Sequence, residues 1–123
     1  MSRPFVYIAG AYSGKDAIAT FGNMRRGLRV SAEALRAGFA VYSPWCDCLL
    51  HFQDEFTLEE CYDYSMSVLE HCSAILVVQH NYTQSVGTMR ELRRAQELDI
   101  PVFHTLRDMV NWKRAVWEGG EGG

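Results

Sequence analysis

The sequence predicts an α/β fold built on a parallel sheet, and two observations carry that expectation. Short apolar runs recur four times along the chain, with stretches of helical periodicity filling the gaps between them. One run, Ala74-Ile-Leu-Val-Val78, is apolar without interruption, the pattern of a strand covered on both faces. Strands that alternate with helices pair in parallel through right-handed crossovers. A chain of 123 residues has room for one domain around one core, and a hydrophobic content of 48% supplies the material for it.

Each element follows in order. Phe5-Val-Tyr-Ile-Ala9 forms the first strand and leads into a glycine-bracketed turn, Gly10-Ala-Tyr-Ser-Gly14. Met24, Leu28, Ser31 or Ala32, and Leu35 then recur at helical spacing and are expected to face the core, with Gly38 stopping the helix at C′. Phe39-Ala-Val-Tyr42 is the second strand, ended by Ser43-Pro44. From Trp45 to about Thr57 no period is visible. The segment reads as an aromatic-rich loop, of a length that is usually functional or mobile. Leu58, Cys61 or Tyr62, Ser65, Leu69 and Cys72 trace one helical face. After the third strand, a polar loop over Gln79-His-Asn-Tyr-Thr-Gln84 precedes a helix over about residues 86–98. Ile100-Pro-Val-Phe103 is the fourth strand, with Pro101 near its start, where a missing N–H is tolerated. A last helix closes a domain of residues 1–117, and residues 118–123, Glu-Gly-Gly-Glu-Gly-Gly, read as a flexible tail. There is no internal repeat.

A net charge of −3 argues against a broad cationic surface for nucleic acid and leaves room for small anionic ligands, which need only a few local donors. No apolar run is long enough to cross a bilayer, and the N-terminal residues lack a signal-peptide layout, so no membrane partner and a cytoplasmic location are expected. The four cysteines form no CxxC pair and read as reduced packing thiols. Cys46, Cys48 and His51 fall short of the four spaced ligands of a closed zinc site, so no metal is expected there.

In an open parallel sheet, ligands sit beyond the carboxyl ends of the strands. The loop Gly10–Gly14 and the stretch 81–87 both lie there, and the second opens a helix whose free N–H groups favour an anion. The first loop ends in Gly14-Lys15. It nevertheless has one residue too few for a P-loop, and Asp16 stands where a hydroxyl is required. The second continues Ser85-Val-Gly-Thr-Met-Arg-Glu91, putting a hydroxyl, a glycine and a carboxylate on adjoining turns. Glu91 has two readings. It is a carboxylate able to attack or stabilise an oxocarbenium-like centre, or it is an acidic complement to the helix dipole.

Tyr7-Ile-Ala-Gly10, Asn23, Gly38 and Ser43-Pro44, followed by Ser85-x-Gly-Thr-x-x-Glu91, Ala95 and Ile100-Pro-Val-Phe103, together resemble the nucleoside 2-deoxyribosyltransferase-like superfamily. The resemblance spans about Phe5 to His104 and rests on the order and spacing of the motifs. It implies that Glu91 is the nucleophile taking C1′ of the sugar, that Tyr7 positions it, and that Gly10, Ala11, Tyr12, Ser13 and Gly14 wrap the sugar and its 5′ substituent. Gly87 and Thr88 join them at the start of the helix. The glycosidic-bond chemistry that the resemblance implies needs neither a metal nor another cofactor. Six residues before the nucleophile the superfamily's transferases carry an aspartate and its nucleoside 5′-monophosphate N-glycosidases a serine; here the residue is Ser85. A neutral hydroxyl there suits a phosphate, although an N-cap role accounts for it equally well. The resemblance departs at Ser65, where the superfamily carries an aspartate on the preceding helix. Asp63 lies about 200° away around the helix axis, and Asp47, Asp54 and Glu55 are the other candidates for that carboxylate.

Other residues carry weaker expectations. Trp45, His51, Phe52 and Phe56 read as a lid stacking on a base or as satellite packing, with packing favoured for at least two of them. Tyr12 reads as a pocket wall or a solvated turn residue. Arg25, Arg26, Arg29, Arg90, Arg93 and Arg94 read as a solvated face with room for one to reach a phosphate, and His71, His80 and His104 as surface or capping residues. The resulting expectation is a three-layer, flavodoxin-like sandwich with four to five strands in the order 2-1-3-4. It would act on a nucleoside or nucleotide as an N-glycosidase, with base exchange or non-catalytic nucleotide binding as alternatives. The resemblance also implies a homo-oligomer, dimeric or larger.

Overall fold

The computed structural model describes residues 2–118. β1 (Phe5–Ala9), α1 (Ala17–Arg36) and β2 (Ala40–Tyr42) are followed by 3₁₀ turns over Pro44–Phe52. Then come α2 (Leu58–Leu69), β3 (Ala74–Val77), a short 3₁₀ turn at Tyr82–Gln84, α3 (Val86–Glu97), β4 (Val102–Phe103) and α4 (Leu106–Trp112). The last helix runs on as a π-helical turn over Lys113–Glu118, in which Lys113 and Glu118 pair at 2.7 Å. The remainder of the expected tail, residues 119–123, lies outside the described residues.

The four strands form one parallel sheet in the order β2-β1-β3-β4, the three-layer, flavodoxin-like arrangement the sequence predicts. Val6 lies opposite Val41 on one side and Ala74 on the other, and Leu76 lies opposite Phe103. Side chains alternate across a strand, so β1 divides its residues between two cores. Val6 and Ile8 join Ala34, Phe39, Trp45 and Met109 on the face covered by α1 and α4. Tyr7 and Ala9 join Leu69, Ile75, Val77 and Ala95 on the face covered by α2 and α3. Pro101 still contributes to the sheet, because its carbonyl accepts from the Ile75 N–H at 2.9 Å.

Three expectations need correction. Helix α1 turns Asn23, Gly27, Ser31 and Ala34 inward, while Leu28 and Leu35 are 41% and 52% exposed and Ala32 faces solvent. The cause is Trp45, whose ring lies so close to the helix backbone that a Cβ on Gly27 would fall 2.4 Å from its Cδ2. A large side chain from elsewhere fills the space, so the helix presents its small residues. The stretch after β2 is 3₁₀-helical rather than a loop, starting with Pro44 in its first turn and closing with Gln53 N–H donating to Leu50 at 3.0 Å. Trp45 alone is buried along it, which leaves no apolar period to read. On α2, Leu58 is likewise exposed, while Leu69 is buried, as is Cys72 beyond the helix's end. No helix of the described residues is long and apolar enough to cross a membrane.

Candidate functional site

Beyond the carboxyl ends of β1 and β3, a cavity of about 1340 Å³ opens between the two loops, the 3₁₀ segment and the facing sides of α2 and α3. It exceeds the roughly 300–1,000 Å³ of most small-ligand sites. Tyr7, Gly10, Ala11, Tyr12, Ser13, Gly14, Ser65, Ser85, Gly87, Thr88 and Glu91, scattered over the sequence, all border it.

Helix α3 supplies the centre of the site. Thr88, Glu91 and Ala95 are buried at i, i+3 and i+7, the spacing that turns one helical face inward. Glu91 is the sixth residue of α3, counted from Val86, and its first turn holds no acid. The dipole's effect falls off within the first turn, so complementing it does not account for a carboxylate placed here. Glu91 is 9% exposed, and its Oε2 is buried without a hydrogen-bond partner among the described residues. Burial pushes its carboxyl up to about 7, opposed in part by a hydrogen bond from Tyr7. Tyr7 comes from the centre of β1, and burial together with the facing Glu91 drives its hydroxyl well above the ordinary tyrosine range. Ser65, on α2, interacts with both Tyr7 and Tyr42. Asp63 is exposed and absent from the cavity wall, as the helical geometry requires.

Ser85 meets both of its readings. Its Oγ caps α3 by accepting from Thr88 N–H at 3.2 Å, and it also borders the cavity. Because Thr88 Oγ1 donates to the same oxygen at 2.9 Å, the Ser85 hydroxyl hydrogen is left to donate elsewhere. Gly87 lets α3 start close to α2, since a Cβ there would sit 3.3 Å from the Tyr62 ring. Packing also fixes the glycines of the first loop: a Cβ on Gly10 would fall 2.9 Å from Val78 Cβ, and one on Gly14 2.4 Å from Ala19 Cβ.

That loop is tied down from behind. Asn23, 8% exposed, donates from Nδ2 to the Tyr12 carbonyl at 3.1 Å, and Trp45 Nε1 donates to the Ala11 carbonyl at 3.3 Å. Arg26 Nη2 donates to Asn23 Oδ1 at 2.8 Å, and its Nε is buried without a partner. Arg26 is therefore not part of a solvated face. It lines the cavity with Lys15, whereas Arg90 stacks 4.3 Å over the Tyr62 ring and Arg94 pairs with Glu70 and Glu97. The signal for Arg26 was its position one turn after Asn23, which sets both on one helical face.

Of the aromatic segment, Trp45 is core and Phe52 is 86% exposed, while His51 and Phe56 line the cavity with ring centroids 5.6 Å apart. Tyr12 is a half-buried wall residue whose hydroxyl is raised by burial and by the adjacent Cys48 thiol. His80 lines the cavity and bonds Asn81 at 3.2 Å, and His104 bonds Gln79 at 3.0 Å, so neither is without a partner. Among the described residues no cluster of three or more His, Cys, Asp or Glu is placed to hold a metal.

A family model described as a domain of unknown function, DUF4406, matches residues 4–104, a span that contains the whole cavity wall, and the chain belongs to that family. No curated protein matches it.

Proposed function

We propose that this DUF4406 domain cleaves the N-glycosidic bond of a nucleoside 5′-monophosphate, ribo or 2′-deoxy, with Glu91 as nucleophile, and that it is akin to the nucleoside 2-deoxyribosyltransferase-like superfamily its motifs resemble. The observation that carries the reading is the Glu91 carboxyl itself. Burial without a cation or a full set of donors is costly, and it leaves Oε2 buried and unpartnered on a side chain that borders the cavity.

In the proposed reaction Glu91 attacks C1′ as the base departs with the electrons of the glycosidic bond and takes up a proton. Water then attacks C1′ of the glycosyl ester, the ester bond breaks, and the carboxylate is regenerated. Tyr7 holds the attacking group in position. With its carboxyl up at about 7, Glu91 is half ionised near neutrality, so its attack strengthens as pH rises through that value. Nucleotide rather than nucleoside is favoured by Lys15 and Arg26 on the wall and by the Ser85 hydroxyl with a hydrogen to give. The same reading makes the protein a cytoplasmic homo-oligomer, supported by Leu58 and Val86, which are 69% and 71% exposed at the cavity's edge.

The test is release of free base from a panel of ribo- and deoxynucleoside 5′-monophosphates by the parent protein and by Glu91→Ala. Release by the parent alone supports the reading, and a chase with a second free base separates hydrolysis from base exchange. No release from any compound, with nucleotide binding intact, replaces it with a non-catalytic binding module.

A further inference from the structure

Leu28 and Leu35, expected to face the core from α1, belong instead to an outward stripe. Ile18, Phe21, Leu28 and Leu35 are 83%, 62%, 41% and 52% exposed, and Ala32 lies among them on the surface. With Arg25 these positions alternate in steps of three and four residues, the 3.5-residue period of the a and d positions of a coiled coil. They run along a helix of 20 residues, about 30 Å long. Scattered exposed apolar residues need no explanation, whereas an aligned stripe marks a contact surface. The stripe is separate from the large cavity, whose wall takes Ala19, Asn23 and Arg26 from another face of the helix. Its C-terminal half borders a second hollow, of about 410 Å³. Leu28, Ala32 and Leu35 form one side of that hollow, and Val41 of the edge strand β2 and Tyr64 of α2 form the other.

Charge decides what fits there. Helix α1 carries four arginines and one glutamate in a chain of net charge −3. Arg26 turns to the cavity, while Arg25, Arg29 and Arg36 are exposed and form no ion pair among the described residues. In the heptad frame Arg25 sits within the stripe, and Arg29 and Arg36 occupy successive e positions beside it. Coiled coils use those positions for the charges that choose a partner. Laying α1 of a second copy against this stripe would bring the arginines together, with Glu33 off the seam at a b position. A lipid surface takes up a broad apolar face, and this one is a narrow stripe with an arginine inside it. We propose that the outer face of α1 docks an amphipathic helix of another protein, with apolar residues at coiled-coil spacing and acidic residues flanking them. The guanidinium groups of Arg25 and Arg29 pair with those acids, and the hollow beside Leu28 and Leu35 receives one of the apolar side chains.

The experiment is calorimetric titration with a synthetic peptide of four heptads, leucine at a and d and glutamate at e and g. A counterpart with lysine at e and g is the control. The parent protein binds the acidic peptide roughly tenfold or more tightly than the basic one. The double variant Arg25→Glu/Arg29→Glu reverses that preference, and Phe21→Ser/Leu28→Ser abolishes binding of the acidic peptide. All four positions are exposed, so both variants keep the fold, and each tests the proposal without the other. No binding of the acidic peptide, equal binding of the two peptides, or binding that survives the double variants overturns the proposal. A parent dimer that Phe21→Ser/Leu28→Ser dissociates also overturns it and assigns the stripe to a second copy. Capture by vesicles of phosphatidylserine and phosphatidylcholine, with no preference between the peptides, overturns it in favour of a lipid surface.

Discussion

The two faces of one sheet are finished in opposite ways. On the α1/α4 face, Val6, Ile8 and Trp45 close a core over which the helix carries Gly27, Ser31 and Ala34 so that the indole can lie against its backbone. The buried polar side chains of that helix, Asn23 and Ser31, both make hydrogen bonds. On the α2/α3 face, Tyr7 of the same strand points toward the wall that holds Ser65, Thr88 and Glu91, and the packing stops short of filling the space. Neighbouring positions of β1 therefore serve different ends: one face stores stability, and the other gives some up to keep a carboxylate dry. The polar groups at the cavity are not accidents of a loose core, because the same sheet closes tightly on its other side.

The largest effect is expected on the sealed face. Trp45 is 1% exposed and lies against both Gly10 and Gly27. Trp45→Ala should cost about 3–5 kcal/mol, the range for removing a buried aromatic side chain, measured as a shift of the denaturant midpoint at constant slope. A loss below about 1 kcal/mol, well under that range, would mean that the α1 face is not the reservoir of stability described above.

On the open face a substitution should do the reverse. The Glu91 carboxyl sits up at about 7 against an ordinary 4.5, so the folded state holds its proton more tightly than the unfolded one. Its contribution is complete below about pH 4.5 and is lost as pH rises through 7. Glu91→Gln removes that dependence. The variant should gain on the parent between about pH 4.5 and about pH 8 by about 3 kcal/mol, at roughly 1.4 kcal/mol for each pH unit separating the folded and unfolded values, while base release is abolished. Melts of both proteins across that range check it, and parallel stability curves would show that Glu91 is not buried as a strained acid.

What could be read in the sequence follows from where each signal resides. β3 was legible because a strand covered on both faces writes an unbroken apolar run, and the two cavity loops because they follow strands in a parallel sheet. The roles expected of Glu91 and Tyr7, and the position of Ser65, came from the superfamily resemblance, and only the setting aside of Asp63 came from helical angle. The inward face of α1 was not legible. Apolar periodicity assumes that a helix supplies the bulk of its own interface, and here Trp45 supplies it from another element. Arg26 was hidden among neighbouring arginines: its spacing from Asn23 sets the two on one helical face, but only the tertiary placement of Asn23 against the Tyr12 loop shows that this face meets the cavity. Asp47, which borders the cavity while Asp54 and Glu55 do not, was one of several acids in a segment without a period, and its hydroxyl partner Tyr42 lies on a strand whose sequence pattern marks it as ordinary sheet.

The smallest change in stability is expected from Ser85→Asp, which separates the structural and ligand-reading parts of the open face. Aspartate caps a helix about as well as serine, so the bond to the Thr88 N–H survives and stability should stay within about 0.5 kcal/mol of the parent. What changes is the other half of the residue's work. The serine hydroxyl that offers a hydrogen to the cavity becomes a carboxylate that can only accept, on a wall shared with Lys15 and Arg26. Affinity for a nucleoside 5′-monophosphate should fall by roughly tenfold or more while that for the matching nucleoside holds or rises. Equal losses for both ligands would reduce Ser85 to a structural cap that happens to border the cavity. Selective loss of the nucleotide would show that one oxygen closes the helix and reads the ligand at once.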